Sequence, residues 1–331
     1  MNMNEPLVSV VTPVYNGETY LAECIESVLA QTYSNWDYLI LNNCSTDGTL
    51  GIAEEYARRD KRIRIHSNET LLPIIANHNK AFNLISPASK YCKVVSADDW
   101  LFPECLTRMV DLAEANPSVG IVGSYQLSGR GSDGRDWNIR YDGLPYPSTV
   151  VPGREIVRQH MLGAPYVLGA PTSVLYRSDL IRGQDCFYPN STAEADTSAC
   201  CKYLLETDFG FVHQVLSYER VHLVRISTKS HNLNAYLSSR ISDVLEYGPR
   251  CLSPEEHKRC LEESMREYYL FLASSALKLR EPKFWAFHKE RLETLGHPFS
   301  VIKLSKAICI KVCDLLLNPK RTIEIVRRQN T

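Results

Sequence analysis

The chain has 331 residues, of which 44% are hydrophobic and 23% charged, with 37 Lys plus Arg against 38 Asp plus Glu. That length makes one large domain or two ordinary ones, and the composition excludes a mostly disordered chain. A net charge of −1 gives no general attraction to nucleic acid, so any anion bound here needs a local site.

Residues 7–13 are an apolar, Val-rich run that reads as a fully buried strand of a parallel sheet. In residues 18–31, Leu21, Cys24, Ile25, Val28 and Leu29 recur at helical spacing and predict an amphipathic helix. A second buried strand follows at 38–41, then a polar turn at 42–48 closed by Asp47-Gly48, then a helix at 49–59. The pattern continues with a strand at 62–66 and a helix at 73–85 that has Pro in its first turn. It goes on with a strand at 91–96, a helix at 103–116 and a strand at 119–125. Strands alternating with helices predict an α/β fold, a mainly parallel sheet flanked by helices. Ligands of such sheets bind at the carboxyl ends of strands, where Tyr15-Asn16-Gly17, residues 42–48 and Ala97-Asp98-Asp99 stand ready to converge.

Residues 128–147 are rich in Gly, Asp, Arg and Pro and read as a loop. A helix at 153–162, strands at 166–177 and 209–218, and a helix at 193–205 complete a domain over 6–226. Residues 227–331 form a C-terminal helical region, with helices predicted at 254–279, 282–295 and 301–317. No apolar run approaches the ~20 residues of a membrane span, and the N-terminus has no basic region or cleavage site. The expected location is cytoplasmic. Eleven cysteines, an odd number without a CxxC pair, read as reduced thiols; Cys24, Cys92, Cys105 and Cys201 sit at apolar periodic positions.

Four clusters carry chemistry. Asp98 and Asp99 follow a buried strand and suit a hard divalent cation, Mg²⁺ or Mn²⁺; Asp99 could equally cap the turn that follows. The run Asn42-Asn43-Cys44-Ser45-Thr46-Asp47-Gly48-Thr49 allows a tight turn with side chains able to read a base or sugar edge, or is a plain turn with Asp47 as helix cap. Tyr15, after Pro13 and Val14, offers a ring for stacking or for packing on a neighbouring helix. Asp196, in Glu194-Ala195-Asp196 ahead of a helix, is a general base or a cap. Arg220 and His222 follow the last strand and are candidates to hold phosphate or to pair with acids.

In this order VSVVTPVYN (8–16), NNCSTDGT (42–49), SADD (96–99), AD (195–196) and YERVH (218–222) resemble the family 2 inverting glycosyltransferases of GT-A fold, over roughly residues 6–225. The resemblance implies a nucleotide-sugar donor, with Pro13, Val14 and Tyr15 beside the base and Asn43 reading its edge. It implies that Asp98 meets the ribose, that Asp98 and Asp99 carry the metal, with Ala97 beside them, and that Asp196 is the catalytic base. His78 stands where an Arg is frequent, beside the matching Asn79. Asn42 and Asn43 replace the usual acids, Ser96 replaces another, and Ala195 replaces a frequent Glu. On this reading Asn43 accepts the imide N–H of a UDP- or dTDP-linked donor without the charge an acid would bring, so the base is held more weakly than by Asp. The resemblance also implies a glycan or lipid-linked acceptor.

Two rivals stand beside this reading. A sugar-phosphate nucleotidylyltransferase carries a Gly-rich basic loop after its first strand, where this chain has PVYNGET. A non-catalytic nucleotide-sugar-binding subunit fits the lost acids at Asn42, Asn43 and Ser96. A dinucleotide dehydrogenase lacks its GxGxxG here. In the last helix Val301, Leu304, Ile308, Val312 and Leu315 form an apolar stripe interrupted by Lys303, Lys306 and Lys311 and followed by Lys320, Arg321, Arg327 and Arg328. Such a helix either lies in a membrane interface or packs on protein, the catalytic domain or a second copy.

Overall fold

A computed structural model describes residues 5–129, 136–190, 192, 194–221, 235–276 and 280–317. The chain divides into two compact units, Met1–Thr228 and Lys229–Thr331.

The first unit opens with β1 (Val8–Val14), α1 (Leu21–Leu29), β2 (Trp36–Asn42), α2 (Thr49–Arg59), β3 (Ile63–Ser67), α3 (Ile74–Asn83) and β4 (Tyr91–Val94). Then come β5 (Trp100–Leu101), α4 (Cys105–Ala115), β6 (Val119–Gly129), β7 (Asn138–Arg140), β8 (Val150–Val151) and α5 (Gly153–Met161). A 3-10 turn (Pro171–Ser173), β9 (Val174–Arg177), α6 (Ser178–Ile181), α7 (Ala195–Leu204) and β10 (Asp208–Arg220) complete it. The strands form one sheet in the order β3-β2-β1-β4-β9-β6-β10-β5, with β7 on β6 and β8 on β10. β1 is parallel to β2 and β4, and β6 is parallel to β10; β9 runs antiparallel between β4 and β6. The apolar runs are continuous because the central strands are covered on both faces: Val8, Val10 and Val11 have no exposure. α1 seals one face with Leu21, Cys24, Ile25 and Val28.

Three differences from the sequence reading have physical causes. The strand expected at 166–177 is only Val174–Arg177, because Gly169 takes a left-handed φ of 80° and Pro171 starts the 3-10 turn. The loop expected at 128–147 partly returns to the sheet, with β7 pairing Ile139 to Leu127; its three residues are all exposed, so no burial pattern marks them. In the second unit a helix at Tyr236–Cys251 escapes the periodicity because Ser238, Ser239 and Asp243 fill buried positions. Ser238 and Ser239 turn their hydroxyls back onto the Ala235 carbonyl at 2.7 and 3.3 Å, which satisfies them there.

One buried charge ties the sheet together near its carboxyl ends. Lys93 in β4 is wholly buried, and its Nζ donates to the carbonyls of Thr172 (2.7 Å) and Val174 (3.0 Å). Burial lowers the pKa of this amine. The contact fixes the start of β9 against β4.

The second unit contains α8 (Tyr236–Cys251), α9 (Pro254–Ala276), α10 (Pro282–Thr294) and α11 (Val301–Leu317). Its core joins Ile241, Tyr268, Tyr269, Leu272, Phe284 and Leu292. Inside it Tyr268 Oη and His288 Nδ1 share a hydrogen bond of 2.6 Å. Ser300 precedes α11, donates its N–H to Tyr269 Oη at 2.8 Å and accepts from the Lys303 N–H at 3.3 Å, a helix cap of the expected type. Among the described residues no helix is long and apolar enough to cross a membrane.

Candidate active site

The chain leaves β1 toward β2 and β3 on one side, while β4 joins on the other, so the strand order reverses between β1 and β4. That reversal is where a doubly wound sheet opens a crevice. Pairing of β1 with β4 ends at Val11–Val94, with one more bond from Val95 N–H to the Val11 carbonyl at 3.0 Å. Beyond it Thr12 bonds its hydroxyl to the Val95 carbonyl (2.8 Å), and Pro13 has no N–H to give. The two strands then part, β1 leading to Tyr15 and β4 to the Ala97–Asp99 turn. Tyr15 is 49% exposed. Gly17 permits the close approach: a Cβ there would stand 2.6 Å from Val14 Cγ2 and 3.5 Å from Ala97 Cβ.

The loops after β1 and β2 are laced together. Asn16, at a left-handed φ of 51°, accepts the Thr46 N–H at 2.8 Å and donates its own N–H to Ser45 Oγ at 3.0 Å. Asp47 accepts from the N–H groups of Thr49 (3.0 Å) and Glu18 (3.1 Å). Burial pushes its carboxyl up, but these bonds and one from the Thr49 hydroxyl outweigh that and hold it below its ordinary value. Asn42 closes the turn by accepting the Ser45 N–H at 3.1 Å. The run 42–49 is thus held by its own turn bonds and by Asn16 and Glu18 of the loop after β1.

Asn43 is buried, and its amide grips the backbone of Leu72: Nδ2 donates to the Leu72 carbonyl (2.8 Å) and Oδ1 accepts the Leu72 N–H (2.9 Å). The same Oδ1 accepts from Asn68 Nδ2 at 2.8 Å. Both carbonyl lone pairs are therefore engaged, and the Leu72 partners fix which atom is nitrogen. This corrects the expectation that Asn43 accepts an imide N–H; its remaining capacity is one N–H donor. It also reverses the comparison with Asp. Asn43→Asp would set a carboxylate oxygen against the Leu72 carbonyl and leave no N–H for the base, so the variant is expected to bind nucleotide more weakly, by roughly tenfold, from the ~1–3 kcal/mol cost of the unmatched partner. Isothermal titration of UDP checks this, and tighter binding by the variant would contradict it.

Two further expectations change. Asn79 is a structural clamp: Nδ2 donates to the Tyr188 carbonyl (3.1 Å) and Oδ1 accepts the Tyr188 N–H (2.8 Å), so it anchors the chain ahead of α7. His78 stacks on the Tyr188 ring, centroids 5.8 Å apart, with Nδ1 2.9 Å from the Ile74 carbonyl. A carbonyl only accepts, so Nδ1 carries the proton and Nε2 presents a lone pair. Burial holds the His78 pKa below its ordinary value, so it does not supply the positive charge of the Arg frequent at that position.

Asp98 is half-buried and Asp99 is buried. Asp99 is no cap: Oδ2 accepts from the Thr172 hydroxyl at 2.6 Å and Oδ1 from the Arg220 N–H at 3.1 Å. The Thr172 hydroxyl oxygen in turn accepts the Ser96 N–H at 3.1 Å. Burial, with the charge of Asp98 second, pushes the Asp99 carboxyl up to about 8. A like-charged pair that resists ionisation is relieved by a cation, and each Asp99 oxygen accepts only one of these bonds, leaving room for one. The pair fits a divalent ion that completes its shell with phosphate and water. Among the described residues no cluster of three or more His, Cys, Asp or Glu is gathered for a metal.

Arg220 is not a free phosphate ligand. Its guanidinium pairs with Glu23, donates from Nε to the Asp98 carbonyl at 3.3 Å, and lies over the rings of Tyr20 (4.3 Å) and Trp100 (5.1 Å). Trp100 stacks on Tyr218 at 3.7 Å. Arg220 therefore braces the Asp98–Asp99 turn. His222 lies outside the described residues.

Asp196 stands in the first turn of α7, where its Oδ1 accepts the adjacent Thr197 N–H at 2.9 Å. Burial, and then the charge of Glu194, raise its carboxyl to about 7. A base with that pKa is matched to neutral pH. The segment ahead of β9 reaches Asp99 and the neighbour of Asp196: Tyr166 Oη shares a 2.7 Å hydrogen bond with Thr197 Oγ1, and Thr172 holds Asp99. Sequence reading assigns no role to Tyr166, Thr172 or Tyr141. Tyr141 is buried at a left-handed φ of 65°, and its hydroxyl is held neutral by burial and then by the charge of Glu219. The one trace of Thr172 in the sequence is the Pro that interrupts the strand before it.

An α/β sheet whose switch point opens on paired carboxylates is the architecture of a nucleotide-binding enzyme. The model of glycosyl transferase family 2 matches residues 9–183, more than half of the chain, and the chain belongs to that family. An uncharacterized glycosyltransferase of Haemophilus influenzae is 39% identical over 122 residues, covering 37% of this chain and 37% of that protein. The chain thus matches little more than a third of that relative's length. Residues 1–349 of S. aureus TarS, in complex with UDP-GlcNAc, superpose with a TM-score of 0.64 at 19% identity, over 98% of this chain and 92% of that one. The mannosyltransferase PcManGT of Pyrobaculum calidifontis, with GDP-Man and Mn²⁺, gives a TM-score of 0.53 at 15% identity, over 97% and 83%. At such identities these two likenesses show the fold.

Proposed function

We propose that this protein is an inverting, metal-dependent glycosyltransferase that moves a sugar from a UDP- or dTDP-linked donor to a hydroxyl of a glycan or lipid-linked acceptor. The observation that carries the reading is Asp196, poised near neutrality at a helix start whose neighbour Thr197 is bonded to the segment that also holds Asp99. The nucleotide sugars bound by TarS and PcManGT, and the Mn²⁺ of the latter, support the donor class and the cation.

Tyr15, beside Pro13 and Val14, offers its exposed ring to the base. Asn43 meets the base as an N–H donor to a ring carbonyl, and uracil and thymine each carry two. Asp98, with Ala97 beside it, meets the ribose, and Asp98 and Asp99 hold Mn²⁺ or Mg²⁺. When bound, that ion neutralises charge on the departing diphosphate. Asp196 takes the proton of the acceptor hydroxyl. The freed oxygen bonds to the anomeric carbon on the face opposite the leaving group. The bond from that carbon to the nucleoside diphosphate breaks, and the configuration inverts. Thr172 and Arg220 keep Asp99 in place, and burial around Asp196 keeps its basicity high.

A panel of nucleotide sugars tests this, with release of nucleoside diphosphate and the anomeric configuration of the product as readouts. Consumption of a UDP- or dTDP-sugar with inversion is expected. A clear preference for GDP-sugars would overturn the pyrimidine reading, and a retained configuration would overturn the single displacement. Donor turnover of any kind excludes a non-catalytic binding subunit.

A further inference from the structure

Helix α11 is apolar on two sides. On one side Leu304, Ala307 and Ile308 pack into the core of the second unit. The other side faces solvent, with Ile302 71% and Leu316 74% exposed, and Val301, Ile310 and Leu317 exposed as well. Ile302, Ser305, Cys309, Val312 and Leu316 follow one another at steps of three and four, which makes one stripe along the helix. This differs from the stripe read in the sequence: Leu304 and Ile308 pack inward, Val301 and Val312 are exposed, and the Leu315 side chain and residues 318–331 lie outside the described residues. An exposed apolar stripe along a whole helix is a mark of an interaction surface.

Beside the stripe, between α9 and α11, lies a cavity of about 380 Å³ with Met265, Tyr269 and Ile310 in its wall. Arg266, Lys303 and Lys306 line it too, all exposed, against one acid, Glu262. Apolar surface edged by cations is complementary to a layer that is apolar within and anionic at its boundary.

We propose that this face docks on an anionic lipid bilayer, with the stripe at the acyl boundary and Arg266, Lys303 and Lys306 among the headgroup phosphates. The docking is independent of the reaction proposed above. A bilayer of negative surface charge adds about a fivefold gain in binding for each such cation.

Flotation of the full chain on vesicles of phosphatidylcholine, with and without phosphatidylglycerol, tests it. Binding to the mixed vesicles alone, weakening with salt, is expected. Replacing Arg266, Lys303 and Lys306 together by Ala should weaken it about a hundredfold. Ile302→Asp with Leu316→Asp should abolish it; both side chains are exposed, so the fold is kept, as unchanged circular dichroism will confirm. Cys309 and Cys313, exposed on α11, should lose reactivity toward a water-soluble maleimide on vesicles. Absence of binding to mixed vesicles at low salt would overturn the proposal. So would undiminished binding by the Asp double variant, which keeps every basic residue. A dimer in sedimentation that the same variant dissociates, without vesicle binding, would assign the face to a second copy instead.

Discussion

Asp196→Asn is expected to lower sugar transfer about a thousandfold while leaving the dissociation constant for nucleotide nearly unchanged. A positioned general base is worth ~10²–10⁴ in rate. The change is nearly isosteric, and an Asn oxygen can still accept the Thr197 N–H now bonded to Asp196 at 2.9 Å. Single-turnover rates beside UDP titration separate the two effects. Wild-type transfer by the variant would reduce Asp196 to a helix residue.

The same residue sets the pH dependence. Its carboxyl titrates near 7 because burial, and then Glu194, oppose its charge. The groups around it that sense its charge are Tyr141, Tyr166, Tyr176, Tyr188 and Cys200, all held neutral by burial, so they do not titrate in this range. In saturating Mn²⁺, which would keep Asp99 ionised, transfer should therefore rise with pH through about 7 and level off above. Glu194→Gln should move the midpoint to lower pH. For stability the sign is opposite. Between the ordinary value of 3.8 and about 7 the folded chain holds a proton that the unfolded chain has lost, so stability falls as pH rises through that window. Asp196→Asn removes this loss. Above pH ~8 the variant should be more stable by about 2 kcal/mol, taking half of the full linkage because the side chain is partly exposed, and near pH ~4 the two should coincide. Urea unfolding at both pH values reads the difference. An inactive variant that is more stable is the trade expected at a catalytic site.

The sheet was legible because its central strands are buried on both faces, so Val8–Val14 and Trp36–Asn42 announce themselves as continuous apolar runs between amphipathic helices. The carboxylates were legible from position, since Asp98-Asp99 follows a strand at its carboxyl end. What escaped was everything set by contacts distant in the chain. Nothing local distinguishes Thr172 from any other Thr, yet its hydroxyl holds Asp99 across 73 positions. Asn43 and Asn79 look alike as ligand-reading amides, but each clamps a backbone segment, Leu72 and Tyr188, that only the fold brings near. Arg220 reads either as a phosphate ligand or as a partner of acids, and only the fold, which brings Glu23 of α1 to it, decides for the second. β7 was missed because a strand exposed on all three residues carries no alternation to detect.

Asp99→Asn is expected to weaken nucleoside-diphosphate binding about a hundredfold in Mn²⁺ and to leave binding in EDTA almost unchanged. The variant should fold. An Asn oxygen can accept the Arg220 N–H, and its amide can donate to the Thr172 hydroxyl, which accepts as readily as it gives. What the variant loses is charge, in a buried pair where burial and then Asp98 already make the second ionisation costly. A cation shared with a diphosphate supplies several kcal/mol of attraction, and losing about half of that is the hundredfold expected. Thr172→Val separates charge from position. It keeps both carboxylates but removes the hydroxyl that holds Asp99 Oδ2 at 2.6 Å, so the carboxylate loses its orientation and not its charge. The expected loss is smaller, about tenfold, and higher Mn²⁺ should restore it, whereas no Mn²⁺ concentration should restore Asp99→Asn. Calorimetric titration of UDP across a Mn²⁺ series measures both. Equal affinity of the wild-type protein with and without the ion would remove the metal from Asp98 and Asp99, and leave the pair to bind the ribose alone.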